Sequence, residues 1–351
     1  MGDAMVGVVA NPLSGRDIRR LVTRASVFPT AEKANMIQRM LTAFDAVGVH
    51  RVLLSTDLGG ISAAVFRAIG QRRAQDASWP EVEFLDGRPI RQTAQDTVDA
   101  VRRMVTAGVR VIICLGGDGT ARVTAAAADD VPMLALSTGT NNAFPAVREA
   151  TIAGLAAGLV ATGAVPADGV VTRAKMLEVR AGDRTETALI DVAVSTQRHV
   201  GARAVWDPAT LTQLFCAFAE PDVIGLSSIL GQLSPVARHE PHGVAARLAP
   251  GAATQVLAAI APGLVMPVGV DEITRMRPGT VHPVEARAGV IAVDGERELT
   301  FGPGERPTVR LRADGPRCVN VSAVLAASAR LGLLRQPSTA TGPVPVARID
   351  R

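Results

Sequence analysis

Residues 114–123, CLGGDGTARV, place three glycines, an aspartate and a threonine directly after the apolar run VRVIICL (109–115). Glycines at Gly116, Gly117 and Gly119 let backbone N–H groups approach a ligand with no Cβ in the way, the arrangement that cradles phosphate oxygens. A helix beginning near Thr120 would add the partial positive charge of its N-terminus. By charge alone, Asp118 does not belong in an anion site. It belongs where a hydroxyl must lose a proton, or where a magnesium ion takes an oxygen ligand. A tight turn with a capping aspartate would use the same residues and need no ligand.

Two more polar, glycine-containing loops follow strand-like runs. NPLSGRD (11–17) offers Asn11, Ser14 and Gly15 as hydrogen-bond donors to a nucleotide. STGTNNAFP (137–145) offers Thr138, Gly139, Thr140, Asn141 and Asn142. Each alone reads as a plain connection. Together they would converge on one edge of a parallel sheet, where open α/β folds bind ligands, and they predict a phosphate-handling cleft. VDGE (293–296) carries the Asp294-Gly295 hairpin signal. HEPH (239–242) gathers His239, Glu240 and His242, but Pro241 and the flanking Arg238 read as an exposed loop and not a metal frame. Asp191 and Ser195, in ALIDVAVST, either line a cleft or simply alternate along a strand. Trp79 and Trp206 read as packing residues.

The elements that must hold these loops alternate in the first half. Strands are expected at 5–10, 50–55, 81–85, 109–115 and 132–137, and helices at 32–48, 61–74 and 94–108. That order predicts an α/β fold with a Rossmann-like parallel sheet in an N-terminal domain, residues 1–164. From 165 to 335 short Thr- and Val-rich segments with Gly and Pro punctuation predict a β-rich second domain with a helical insert near 207–234. A closing helix is expected at 322–334 and a disordered tail at 336–351. At 351 residues the chain exceeds what one core usually organises, which agrees with two domains.

Composition narrows the partners. Aromatic residues are 3% of the chain and Tyr is absent, which disfavours base stacking on nucleic acid. The net charge of +4 comes from scattered arginines and not from a basic run, which fits small anionic ligands equally well. Cys114, Cys216 and Cys318 are far apart and match no metal spacing, as expected of reduced buried thiols. MGDAMVGVVA enters a strand directly and predicts no leader, Val6 breaks the myristoylation pattern, and 151–165 is too short to span a bilayer. A cytoplasmic protein that binds nucleotides and small molecules, with neither nucleic acid nor membrane insertion, is expected.

NPLSG, then GGDGT after an apolar strand, then GTNNAFP, then VDGE in a β-rich half, resemble the NAD kinase and diacylglycerol kinase superfamily. Over residues 5–334, ANPLSGRDIRRL, EKANMIQRML and TGTNNAFP are most similar to its acetoin-catabolism protein X branch, described as ATP-NAD kinase-like. The resemblance implies a β-sandwich-like second domain and an active site between the domains. It implies phosphate binding by Gly116, Gly117, Asp118, Gly119 and Thr120, with Asp118 as the catalytic carboxylate and Asp294 and Glu296 near the nucleotide or Mg²⁺. ATP, a divalent cation, NAD as substrate and a homo-oligomeric state follow from the same likeness. The Asn-Glu pair by which NAD kinases hold the dinucleotide is absent, and Ala143 replaces the Asp of the lipid-kinase loop. The acceptor therefore stays open between NAD and a lipid or small alcohol, and polyphosphate stands beside ATP as donor. A nucleotide-binding regulator without transfer is the third reading.

Overall fold

The structure, a computed structural model, describes residues 4–15, 28–75, 79–86, 89–139, 141–197, 203–205 and 207–335. Five parallel strands form the centre of the first sheet: β1 (Met5–Ala10), β2 (Arg51–Ser55), β3 (Glu81–Leu85), β4 (Val111–Gly116) and β5 (Met133–Ser137), in the order β3-β2-β1-β4-β5. Every residue of β1 and β4 is buried, as strands covered by helices on both faces must be. The connections are α1 (Thr30–Ala46), α2 (Ile61–Arg73), α3 (Ala94–Ala107) and α4 (Asp118–Ala127), with α5 (Ala150–Ala161) after β5.

Local chemistry sets these elements. A capping box between Thr93 and Asp96 opens α3, and Gly108, at φ +82°, closes it. The small residues of α5 let it lie close on α1. A Cβ on Gly154 would sit 3.0 Å from the Met40 Cα, and one on Gly158 would sit 2.5 Å from Val47 Cγ2. Trp79 packs as expected, its Nε1–H donating to Thr42 Oγ1 at 2.9 Å. No helix among the described residues is long and apolar enough to cross a membrane.

Beyond residue 165 the chain is β-rich: β6 (Val171–Arg173), β7 (Met176–Ala181), β8 (Arg184–Ala188), β9 (Asp191–Ser195), β10 (Leu211–Cys216), β11 (Gly243–Leu248), β12 (Thr254–Ala261) and β13 (Leu264–Met276), then β14 (Val281–Pro283), β15 (Gly289–Val293), β16 (Glu296–Phe301), β17 (Thr308–Arg312) and β18 (Arg317–Val319). An antiparallel sheet in the order β12-β13-β11-β10-β9-β15-β16 shares a core with a second sheet, β14-β17-β7-β8, through Val179, Val192, Phe215, Ile291 and Leu311.

Two expectations need correction. Segment 207–234 is not a helical insert. It holds β10, paired on both sides, and the single-turn helix α6 (Ser228–Gly231). TLTQLFCAF has apolar residues at both helical and strand spacings, and pairing with β9 and β11 decides between them. The C-terminal end also does not stay with the β-rich half. β6 and β18 extend the first sheet beyond β5, and α7 (Val321–Leu331) packs on the first-sheet core through Val321 and Val324. The tail 336–351 and Trp206 lie outside the described residues.

One buried ion-pair network ties the halves together. Arg122, on α4, reaches Asp294 at 3.6 Å, Glu298 at 2.9 Å and Glu186 at 3.6 Å. Asp294 also accepts N–H groups from Leu189 at 3.1 Å, Ile190 at 2.8 Å and Asp191 at 3.4 Å. Burial pushes the Asp294 carboxyl up to about 6 despite these partners. At Arg122 burial acts downward, but the surrounding carboxylates outweigh it and the pKa rises. The pair thus stays strongly attractive, while the carboxylate itself carries the desolvation cost.

Gly154→Val should destabilise the fold by about 2 kcal/mol in urea denaturation, because the new side chain meets the Met40 backbone, which cannot rotate away. Asp294 predicts a pH effect. Its raised pKa makes the native state take up this proton before the unfolded chain does. The resulting stabilisation is fully present below the ordinary Asp value of 3.8 and is lost as pH rises through about 6. Denaturation midpoints of Asp294→Asn should therefore depend less on pH than those of the wild type between these values.

Candidate functional site

The three polar loops do converge at the carboxyl ends of β1, β4 and β5, and backbone bonds fix their registry. Asn11 N–H donates to Leu115 O at 3.0 Å, and Thr138 N–H donates to Gly116 O at 2.9 Å. Side chains then bind loop to loop. Asn11 Oδ1 accepts from Leu13 N at 2.8 Å, and its Nδ2 donates to Thr120 Oγ1 at 2.9 Å. Ser14 Oγ lies 2.8 Å from Thr138 Oγ1. Asn142, oriented so that its oxygen accepts from Gly139 N at 2.9 Å and Ser137 Oγ at 2.7 Å, closes the third loop on itself.

These contacts give the glycines a second reason. A Cβ on Gly116 would lie 2.4 Å from Thr120 Cβ, and Cβ atoms on Gly117 and Gly139 would lie 2.9 and 2.5 Å from the Asn142 amide. The loops need glycine there to fit one another, whatever ligand they meet.

Beside them opens a cleft of about 710 Å³. Asn11, Ser14 and Gly15 line it from the first loop, Gly117, Asp118, Gly119 and Thr120 from the second, and Gly139 and Asn142 from the third. Asp294 and Glu296 reach it from the β15–β16 hairpin, whose turn has φ +50° at Asp294 and +75° at Gly295. Gly116, the last residue of β4, lies behind the lining. Thr138 is fully buried and supports Ser14, so it presents nothing to a ligand. Asn141 turns away, its Nδ2 donating to Ile260 O at 3.2 Å. Thr140 lies outside the described residues.

Asp118 is the first residue of α4, with Gly117 as the N-cap. The amides of 117–120 are those a helix cannot satisfy within itself. The Asp118 carboxylate accepts from Ala143 N at 3.1 Å and from Phe144 N at 2.9 Å. It is therefore oriented by the GTNNAFP loop while it lines the cleft. It also borders a second, water-sized cavity of about 10 Å³, shared with Asn141, Asp191 and Asp294.

The electrostatics of the cleft run against a bare anion. Seven carboxylates, among them Asp57, Asp118 and Glu296, line it against the guanidiniums of Arg122 and Arg203. Asp57 caps α2, accepting from Ile61 N at 3.1 Å and Ser62 N at 2.7 Å. Among the described residues, no cluster of three or more His, Cys, Asp or Glu side chains is placed to hold a metal ion, the HEPH run included.

Sequence reasoning missed two supports. Lys33 is fully buried and donates to Asn11 O at 2.9 Å, Pro12 O at 3.4 Å and Ser14 O at 3.0 Å, holding the first loop in its turn. Its signal was positional: Lys33 falls on the apolar stripe of α1 with Ile37, Met40, Leu41 and Phe44, where a charge requires a partner. Arg122 sits two residues past the glycine motif and had no such signal.

Residues 6–165 match the family model described as the ATP-NAD kinase N-terminal domain, and residues 175–314 match the acetoin catabolism protein X C-terminal domain. Acetoin catabolism protein X of Cupriavidus necator is 42% identical over 338 residues, covering 94% of each chain. Among solved structures, a yeast NADH kinase complexed with NADH aligns with a TM-score of 0.47 at 13% identity, covering 96% of this chain and 90% of that one. With 42% identity across nearly its whole length, and with both halves matched in order, the chain belongs to the acetoin catabolism protein X family, on an NAD kinase-like fold.

Proposed function

We propose that this protein is a phosphotransferase that moves the terminal phosphoryl group of ATP to an alcohol, with the adenosine ribose of NAD as the leading acceptor. One observation carries the reading: Asp118, a carboxylate oriented by two amides, lines the cleft at the N-terminus of α4 beside the glycine-loop backbone. The match of residues 6–165 to the ATP-NAD kinase N-terminal domain supports the donor and the acceptor class.

Positioning and charge neutralisation dominate such a reaction. The amides of Gly117, Gly119 and Thr120 would face the phosphate oxygens. The acceptor hydroxyl attacks the γ-phosphorus, the bond to the β-phosphate bridging oxygen breaks, and ADP leaves. Asp118 takes the hydroxyl proton; Oδ1 already accepts from both Ala143 N and Phe144 N, so the proton is assigned to Oδ2, which accepts from Ala143 N. Asn11, Ser14, Gly15, Gly139 and Asn142 act as the frame that keeps the amides aimed. Glu296, whose carboxylate lies 3.6 Å from where a Gly119 Cβ would stand, faces the same helix end.

The acidic lining bears on the donor. The residues present do not build a magnesium cage, and no step is assigned to one. A triphosphate brings its own divalent counter-ion, and that charge would offset the carboxylates. For the acceptor base, the cleft offers Leu13, Leu58 and Ile90, with no aromatic side chain among the described lining residues. Aliphatic contact serves an adenine, and it serves a small alcohol or lipid as well. The name of the Cupriavidus necator relative favours the small alcohol as second acceptor. The amide bonds already made by Asp118 favour, third, a nucleotide-binding regulator in which the carboxylate only ties loops together.

Purified protein with labelled ATP–Mg²⁺ and a panel of NAD, NADH, diacylglycerol and short diols should put label into NAD. Label in a diol or in diacylglycerol would move the acceptor. No labelled product, with one nucleotide bound in calorimetry, would leave the regulator. Asp118→Asn should lower turnover by at least ~10²-fold, with stability changed by only about 1 kcal/mol, because the amide oxygen still accepts from the loop. Turnover within twofold or so of the wild type would remove Asp118 from the chemistry.

A further inference from the structure

We propose that Arg238 is a positioning residue for Asp118, acting through the peptide groups of Ala143 and Phe144; the inference rests on the reading of Asp118 given above. The N–H groups of both residues point at the Asp118 carboxylate, at 3.1 and 2.9 Å. Their carbonyls point the other way, onto one guanidinium: Arg238 Nη1 donates to Phe144 O at 2.8 Å, and Nη2 donates to Ala143 O. The peptide plane between the two residues is thus held by a cation at its oxygen and an anion at its hydrogen. Opposite charges on the two ends polarise the peptide in one sense and strengthen both bonds.

Arg238 is built to stay there. Its Nε donates to Glu220 Oε2 at 3.0 Å, and its own backbone N–H donates to Glu220 Oε1 at 3.2 Å. The guanidinium lies over the Phe218 ring at 4.4 Å and over the Phe144 ring at 5.6 Å, both rings being buried. Five donors in a planar fork satisfy the two carbonyls and the carboxylate together, which a lysine ammonium cannot do from one position. Arg238 is not among the residues that line the cleft. It belongs to the β-rich half, just before HEPH, whereas Asp118 opens α4 in the first half. The chain therefore makes the carboxylate's aim depend on how the β-rich half is seated.

The test compares Arg238→Gln, Arg238→Lys and Arg238→Ala with the wild type, in the full chain. Arg238→Gln should lower kcat by roughly tenfold to a hundredfold, with the KM for ATP nearly unchanged, because the glycine-loop amides stay in place. Added guanidinium ion should restore part of the activity of Arg238→Ala, which a purely structural loss would not allow. Independently of turnover, hydrogen exchange at the Ala143 and Phe144 amides should quicken in Arg238→Gln and in Asp118→Asn alike. Unchanged exchange at those amides, or faster exchange with undiminished kcat, would overturn the inference. If the wild type phosphorylates nothing, the proposed function falls, and exchange in the two variants still decides whether Arg238 and Asp118 are linked. Arg238→Lys keeps the charge but cannot hold both carbonyls and Glu220 from one position, so it should show the same faster exchange and lowered kcat should the other variants fold poorly.

Discussion

Two backbone N–H groups converging on one carboxylate hold the site together. Asp118 opens α4 directly after β4, and Ala143 and Phe144 belong to the loop after β5. In a parallel sheet those turns are neighbours at one edge, but nothing in the sheet fixes the angle at which each leaves it. The carboxylate fixes that angle. It accepts two bonds of the charge-assisted kind, which are shorter and stronger than neutral ones. Asn11 to Thr120 and Ser14 to Thr138 do the same between the first loop and the other two. The outcome is a rim whose side chains bond to each other beside the cleft.

That division of labour reverses the simplest reading of a polar loop. Asn, Ser and Thr beside a ligand site invite assignment as ligand donors. Here Thr138 is fully buried, Asn142 turns its amide onto Ser137 and Gly139, and Lys33 spends its charge on three loop carbonyls. Preorganised amides keep a fixed direction, whereas flexible side chains would lose rotamer freedom on meeting a ligand. A rim of side chains braced against each other gives up that freedom in folding, before any ligand arrives.

How far the sequence carried this follows from which forces are local. The apolar runs of β1 and β4 and the capping box of α3 announce themselves, because burial on both faces and terminal amides make demands that neighbours in sequence answer. The hairpin turn at Asp294-Gly295 was legible for the same reason. Its second role was not: the ion pair with Arg122 joins positions far apart in the chain. Segment 207–234 failed because a short apolar run satisfies helix and strand spacing at once, and only the partners β9 and β11 choose. The return of β18 and α7 to the first sheet was likewise a long-range pairing with no local mark.

The glycines show where legibility and function part. They were read as making room for phosphate, and the structure gives Gly116, Gly117 and Gly139 a packing reason that needs no phosphate. The two reasons are compatible, but only one position separates them. A Cβ on Gly119 would meet nothing nearer than the Glu296 carboxylate at 3.6 Å, an ordinary contact with the far end of a side chain. Neighbouring side chains therefore do not require glycine there, in contrast to the other three. What an added methyl at Gly119 would obstruct is the approach to the first turn of α4 from the cleft. Among the glycines of GGDGT, this is the one that packing against neighbouring side chains does not account for.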